Sequence, residues 1–251
     1  MTDKKFGLIG FPLANSFSKD YFTQKFKENH LPYSYENYSI EKLEQVRELL
    51  ANNKEVQGWN VTRPYKSQII GFLAELSEEA QACSAVNCLS RTSEGNWRGH
   101  NTDVYGFQTS LESHLGSDRN LSALIIGNGG AAKAVQFVLN QLNIPYTFVG
   151  RNVKDIYGMI GYEELTPEII RNNRLLIQCT PVGMHPHEMD CMNLPFEGVS
   201  KDHYAFDLIY LPAKTQFLAN CEKAGAKIKN GLEMLHLQAD KAFDIWMKNR
   251  T

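Results

Sequence analysis

The sequence predicts two α/β domains in series, the second opening on a strand, a glycine-rich turn and a helix. Three observations carry this. Short apolar segments alternate with segments whose apolar residues recur every three or four positions along the whole chain. The polar turn GSDRN (116–120) interrupts the alternation. Directly after it, LSALIIGNGGAAKAV restarts the series.

Taken in order, KFGLIG (5–10) reads as a first strand and SKDYFTQKFKENH (18–30) as a helix, with Tyr21, Phe22 and Phe26 at helical spacing. SYENYSI is a second strand, EKLEQVRELLANN a second helix, and VQGWNVT a third strand that stops before Pro64. Strands joined through helices predict parallel βαβ units. YGFQTSLESHLG reads as the helix that precedes the break. After the break come the strand and turn, the helix AAKAVQFVLNQLN and the strand PYTFVG. Further strands are expected at RLLIQCT, HYAFDLIY and KIKNG. The last segment is amphipathic, with Leu232, Leu235, Ala239, Phe243 and Trp246 at three- and four-residue steps. A ligand cleft is expected between the two domains.

Composition narrows the function classes. The 26 basic and 28 acidic residues leave a formal charge of −2, so no basic surplus exists to hold a nucleic-acid backbone or an anionic membrane. No apolar run approaches the roughly 20 residues of a membrane span. FGLIGFPLA after Lys4-Lys5 is read as a strand and turn rather than a signal peptide, because Gly10 and Pro12 punctuate it. The five cysteines contain no CxxC pair, which disfavours disulfides and structural zinc; no metal is expected, and a reducing cytoplasmic setting is.

Gly127-Asn128-Gly129-Gly130-Ala131-Ala132 matches G-x-G-x-x-A between a strand and a helix. Gly127 permits the tight turn, Gly129 lets a pyrophosphate approach, and Ala132 lets the helix pack on its strand. The helix N-terminus then offers N–H groups and partial positive charge to the anion. The next strand ends at Gly150-Arg151-Asn152, where an NAD-binding chain usually carries Asp or Glu for the ribose 2′-hydroxyl. Arg151, with Lys154 three residues on, suits a 2′-phosphate instead, so NADP is the expected cofactor. The plainer reading is that Arg151 is a solvated loop cation.

In the first domain, GWNVTRPYK places Asn60, Thr62 and Lys66 around Pro64 just past a strand end. A lysine there is a proton donor if its surroundings adjust its pKa, and a surface lysine otherwise. RGHNTDVYG sets Asn101, Thr102 and Asp103 at a loop-to-helix junction, where helix capping is the ordinary role. Spacing alone does not make Asp103 the partner of Lys66.

Eight segments together resemble the shikimate dehydrogenases: GFPLANSFS, GWNVTRPYK, SAVNCL, GHNTDVYG, GNGGAAKAV, CTPVGM, DLIYLPAKT and GLEMLHLQADKAF, in that family's order from residue 10 to residue 243. The resemblance implies an N-terminal α/β substrate domain (1–103, completed by helix 232–251), a Rossmann-like NADP-binding domain (104–231), and NADPH-dependent reduction of 3-dehydroshikimate to shikimate in aromatic amino acid biosynthesis. It implies that Lys66 and Asp103 form the catalytic pair. By the same resemblance Ser16, Ser18 and Tyr210 serve the substrate carboxylate, Thr62, Asn87, Asp103 and Gln238 the ring hydroxyls, and Asn60 the pocket wall. Gly127, Asn128, Gly129, Gly130, Ala131, Arg151, Asn152 and Lys154 would hold the cofactor, with Leu208, Gly231 and Met234 near its nicotinamide. Several positions depart from the family pattern: Tyr65, Ser84, Cys88, Asn128, Gly150, Asn152 and Gln178.

The nearest alternative is a quinate or dual quinate/shikimate dehydrogenase, against which Ser16 and Ser18 both argue. A non-catalytic dinucleotide-binding regulator is disfavoured by intact Lys66 and Asp103, and a folate-linked dehydrogenase by the substrate motifs. The expected partner is a small-molecule substrate, in a monomer or homodimer without a fused domain.

Overall fold

The structure is a computed structural model that describes residues 3–13, 16–154 and 157–248. The chain divides into two compact units, Met1–Thr102 with Ala239–Thr251, and Asp103–Gln238.

The first unit contains β1 (Lys4–Gly10), α1 (Phe17–Glu28), β2 (Tyr33–Ser39), α2 (Leu43–Asn52), β3 (Val56–Val61), β4 (Glu75–Leu76), α3 (Glu78–Cys83), β5 (Cys88–Arg91) and β6 (Trp97–His100). Its sheet runs β2-β1-β3-β5-β6-β4. The first three strands are parallel, as their helical crossovers predict. Beyond them the sheet becomes mixed, because β5 is antiparallel to both β3 and β6. Only Thr92 to Asn96 join β5 to β6, too little chain for a crossover, and Gly95 closes that turn at φ +82°.

Side chains alternate across this sheet. From β1, Phe6 joins Phe22, Phe26, Tyr35 and Trp246 in one cluster, and Ile9 joins Val46, Trp59, Tyr65 and Leu89 in the other.

The second unit runs from α4 (Thr102–Leu115), whose first residue belongs to the first unit, through β7 (Ala123–Ile126), α5 (Gly130–Gln141), β8 (Tyr146–Gly150), β9 (Ile160–Gly161), α6 (Pro167–Asn172), β10 (Leu175–Gln178), β11 (Tyr204–Asp207), α7 (Gln216–Lys223) and β12 (Lys227–Lys229) to α8 (Leu232–Lys248). Residues 232–238 of α8 count with this unit and 239–248 with the first. The sheet order is β12-β11-β10-β7-β8-β9, and every pairing is parallel. The chain thus winds outward from β7 to β9, returns to β10, and winds outward again. That is the doubly wound dinucleotide-binding order, with its switch between β7 and β10. All residues of β7, β10 and β11 are buried, as expected for strands covered on both faces. No helix among the described residues is long and apolar enough to cross a membrane.

Candidate active site

In the first unit, the segments that follow β1 and β3 lie side by side. Phe11 N–H donates to the Arg63 carbonyl at 3.0 Å, and Thr62 N–H to Ile9 at 2.9 Å. Gly10 is required here, since a Cβ would come within 2.4 Å of the Thr62 methyl. After β3 the chain turns, and Tyr65 is driven into the core with its hydroxyl donating to the Ile40 carbonyl at 2.5 Å. The next residue, Lys66, is half-buried, and its backbone carbonyl accepts from Val86 N–H at 2.7 Å. The turn that carries the candidate lysine is therefore fixed on both sides.

Val86 leads into Asn87, whose side chain is bonded to Thr102. Asn87 Oδ1 accepts the Thr102 N–H at 2.7 Å, and Nδ2 lies 3.0 Å from Thr102 Oγ1. Asn87 thus holds the start of α4, one residue before Asp103. Asn101 Nδ2 donates to the Ala85 carbonyl at 3.0 Å, while its buried Oδ1 has no partner among the described residues. Asn60, near the end of β3, donates from Nδ2 to the Asn87 carbonyl at 3.3 Å and accepts at Oδ1 from the Tyr35 hydroxyl at 2.7 Å. Ser16 caps α1, its Oγ accepting the Lys19 N–H at 3.4 Å.

The structure therefore joins Asn60 and Asn87 in one chain of hydrogen bonds with Tyr35, a residue the sequence did not flag. Tyr35 is one polar-tipped residue in a strand rich in tyrosine, and nothing in its spacing marks it. Thr62 lies outside that chain. Lys66 belongs to the first unit; half-buried Asp103, in the first turn of α4, belongs to the second.

In the second unit, the glycine-rich turn leaves β7 at the topological switch, where an open α/β sheet binds its ligand. Gly127 has φ +105°, a conformation that strongly favours glycine, and its N–H donates to Val149 at 2.8 Å. Among the described residues, nothing beyond the adjoining backbone stands within 4 Å of where a Cβ on Gly129 or Gly130 would be. The first turn of α5 has neither an acidic residue nor a side-chain cap, so its N–H groups and dipole suit a phosphate. Ala132 is buried where the helix begins. These features fit a dinucleotide.

Arg151 to Lys154 follow β8 and are exposed. Gly150, one of the departures from the family pattern, has a local reason: a Cβ there would lie 2.1 Å from the Met159 methyl. Gln178 has one too. Buried at the end of β10, it donates to the Val182 carbonyl at 3.0 Å and accepts from Thr180 N–H at 2.8 Å, shaping the CTPVGM loop.

The loop after β11 is held by Asp207. One carboxylate oxygen accepts the Ile209 N–H at 2.9 Å, and the other accepts the Thr215 hydroxyl at 2.5 Å. Burial pushes the Asp207 carboxyl up to about 6. Leu208 packs against Gly231 so tightly that a Cβ at 231 would meet the Leu208 carbonyl at 2.1 Å. Tyr210 is 37% exposed on the same loop. Met234 and Gln238 lie against Gly106 of α4, where a Cβ would come within 2.6 Å of the Met234 carbonyl. The DLIYLPAKT segment drew attention to this loop, but Asp207 and Thr215 were not singled out from it.

Residues 8–89 match the model of the shikimate dehydrogenase substrate binding domain. A shikimate dehydrogenase (NADP(+)) of Methanococcus maripaludis is 34% identical over 263 residues, covering 97% of this chain and 91% of that protein. The chain belongs to the shikimate dehydrogenase family. Solved structures agree. A shikimate dehydrogenase crystallised with NADP+ superposes with a TM-score of 0.88 at 30% identity, over 98% of this chain and 90% of the other. The shikimate 5-dehydrogenase of Thermus thermophilus, in complex with NADP(H) and shikimate, gives 0.84 at 30% identity, over 98% and 94%. Membership explains why both a substrate-domain sheet and a Rossmann-type sheet occur in one chain.

Proposed function

We propose that Lys66 and Asp103 are the acid–base pair with which this chain, an NADP-dependent shikimate dehydrogenase, reduces the ketone of 3-dehydroshikimate to the alcohol of shikimate. When bound, the nicotinamide supplies the hydride. Lys66 delivers the proton to the ketone oxygen, and Asp103 orients the ammonium and accepts from the reacting hydroxyl. Ser16, Ser18 and Tyr210 bind the carboxylate through neutral hydroxyls, Asn60 shapes that wall, and Thr62, Asn87 and Gln238 read the ring hydroxyls. A substrate lacking one of those hydroxyls leaves a polar group unpaired, which gives discrimination.

The cofactor is held by the 127–131 turn through its glycines, Asn128 and Ala131. Arg151, Asn152 and Lys154 take the 2′-phosphate, and Leu208, Gly231 and Met234 line the nicotinamide side. The observation that carries this reading is the all-parallel sheet with GNGGAA leaving it at the switch, in a chain whose Lys66 turn is pinned to the Asn87 segment. The test is shikimate-dependent reduction of NADP+ by the purified chain and its loss in Lys66→Ala.

A further inference from the structure

Gln178 ends β10, fully buried, and its side-chain amide bonds to its own loop. Oε1 accepts the Thr180 N–H at 2.8 Å and the Thr180 hydroxyl at 2.9 Å, while Nε2 donates to the Val182 carbonyl at 3.0 Å. The Thr180 oxygen accepts in turn from the Val182 N–H at 3.3 Å. With that oxygen held, Thr180 brings its methyl against Gly127, where a Cβ would come within 2.8 Å of it. The Cys179 N–H donates to the Ile126 carbonyl at 2.8 Å, so the two segments are tied just before this contact. Gly127 is buried, whereas Asn128, Gly129 and Gly130 are exposed. The glycine-rich turn therefore rests on Thr180 at its first residue and is open at its next three.

We infer that Gln178 is a positioning residue for the coenzyme: it fixes Thr180, whose methyl backs Gly127, and so holds the turn where its N–H groups meet a pyrophosphate. The inference rests on the assignment of the 127–131 turn to the dinucleotide, and deepens it. In a doubly wound sheet the ligand crevice lies between the loops that leave the two strands at the switch, here β7 and β10. Gly127, at φ +105°, is a permissive residue with no side chain to anchor it. A turn that must present its N–H groups in one arrangement gains affinity from being held in advance. Thr180 suits that task, because a β-branched side chain is stiff once its hydroxyl is bonded. Its one proton rests on Gln178, so its contribution to the turn is steric.

Gln178→Leu keeps most of the volume and removes all three side-chain bonds. Calorimetric titration should show the Kd for NADP+ rising about tenfold, the size of one misaligned hydrogen bond to the pyrophosphate. The Kd for 2′-AMP, which carries the adenosine and its 2′-phosphate but no pyrophosphate, should stay at the parent value. Thr180→Ser keeps the bonds to Gln178 and removes only the methyl, so it should weaken NADP+ in the same direction. On that background Gln178→Leu should add little, because the amide acts through the threonine. A merely structural role predicts a lower melting temperature with an unchanged Kd for NADP+. That result overturns the inference, as do equal losses for NADP+ and 2′-AMP, or losses that multiply independently. If Gln178→Leu does not fold, the Thr180 methyl resonance of the parent chain reports instead. It should move on saturation with NADP+ and not with 2′-AMP, and a methyl that NADP+ leaves unmoved overturns the inference. A parent chain that binds NADP+ no better than Gln178→Leu does sinks this inference alone. A parent chain that binds neither NADP+ nor 2′-AMP sinks the functional reading beneath it, and this inference with it.

Discussion

Trp246 lies directly over Gly58: a Cβ at position 58 would come within 2.3 Å of the indole Nε1, whose N–H donates to the Leu89 carbonyl at 3.0 Å. A residue near the end of α8 is thereby keyed into the middle of β3 and β5. The same indole meets Phe6 at 4.8 Å and Phe22 at 4.9 Å, so the aromatic cluster closes around it. Gly58→Ala should destabilise the first unit by about 1–3 kcal/mol, the usual cost of overpacking a filled core. Thermal or urea unfolding measures it, and an unchanged midpoint would mean that the indole gives way freely.

Arg151→Ala should raise the KM for NADPH by about 30- to 100-fold, the value of one or two charge-assisted hydrogen bonds to a phosphate. The KM for NADH, which lacks that phosphate, should barely move. Kinetics with both coenzymes make the comparison, and equal losses would show that Arg151 does not read the 2′ position.

Stability should carry two opposite pH signatures. Burial holds His114 down to about 4, below its ordinary 6.5, and its ring packs edge-on against Tyr204 at 5.4 Å. The unfolded chain protonates this residue first, so its contribution is present above 6.5 and is lost as pH falls toward 4. Asp207 behaves in reverse. Its folded value of about 6 lies above its ordinary 3.8, so its contribution is present below 3.8 and lost as pH rises through about 6. His114→Phe should therefore reduce the fall in melting temperature between pH 6.5 and 4, and Asp207→Asn should remove an opposing gain over nearly the same window. Melting curves across that range decide both.

Asp207→Asn should also loosen the 208–214 loop. An amide still accepts the Ile209 N–H but gives the Thr215 hydroxyl no acceptor, which costs about 1–3 kcal/mol for a buried pair. Faster amide hydrogen exchange at Leu208 to Tyr210 is the expected readout; exchange at the parent rate would remove Asp207 from this role.

In the second unit α4, β7, α5, β8, β10, β11, β12 and α8 were legible because their signals are local (apolar runs, helical spacing, and a glycine turn with one chemical purpose), while the short β9, α6 and α7 were not read. Nor were β5 and β6. Cys88–Arg91 and Trp97–His100 are four residues each, too short for periodicity to speak. Their direction follows from the length of the joining turn rather than from composition. In the candidate site, Lys66 and Asp103 came from motif and resemblance. Tyr35 did not, because its meaning depends on Asn60, which approaches it only in the fold. Gly150 likewise looked like an unexplained departure until Met159 was seen filling its side-chain space.

The most direct test is a coenzyme-by-substrate assay on the parent chain and Lys66→Ala, following the near-ultraviolet absorbance of reduced nicotinamide. The account predicts turnover with shikimate and NADP+, at least about tenfold weaker kcat/KM when quinate or NAD+ is exchanged in, and a kcat about 10²–10⁴-fold lower in Lys66→Ala at nearly unchanged KM for shikimate. Wild-type turnover in Lys66→Ala, or no shikimate oxidation by the parent chain with either coenzyme, would contradict it.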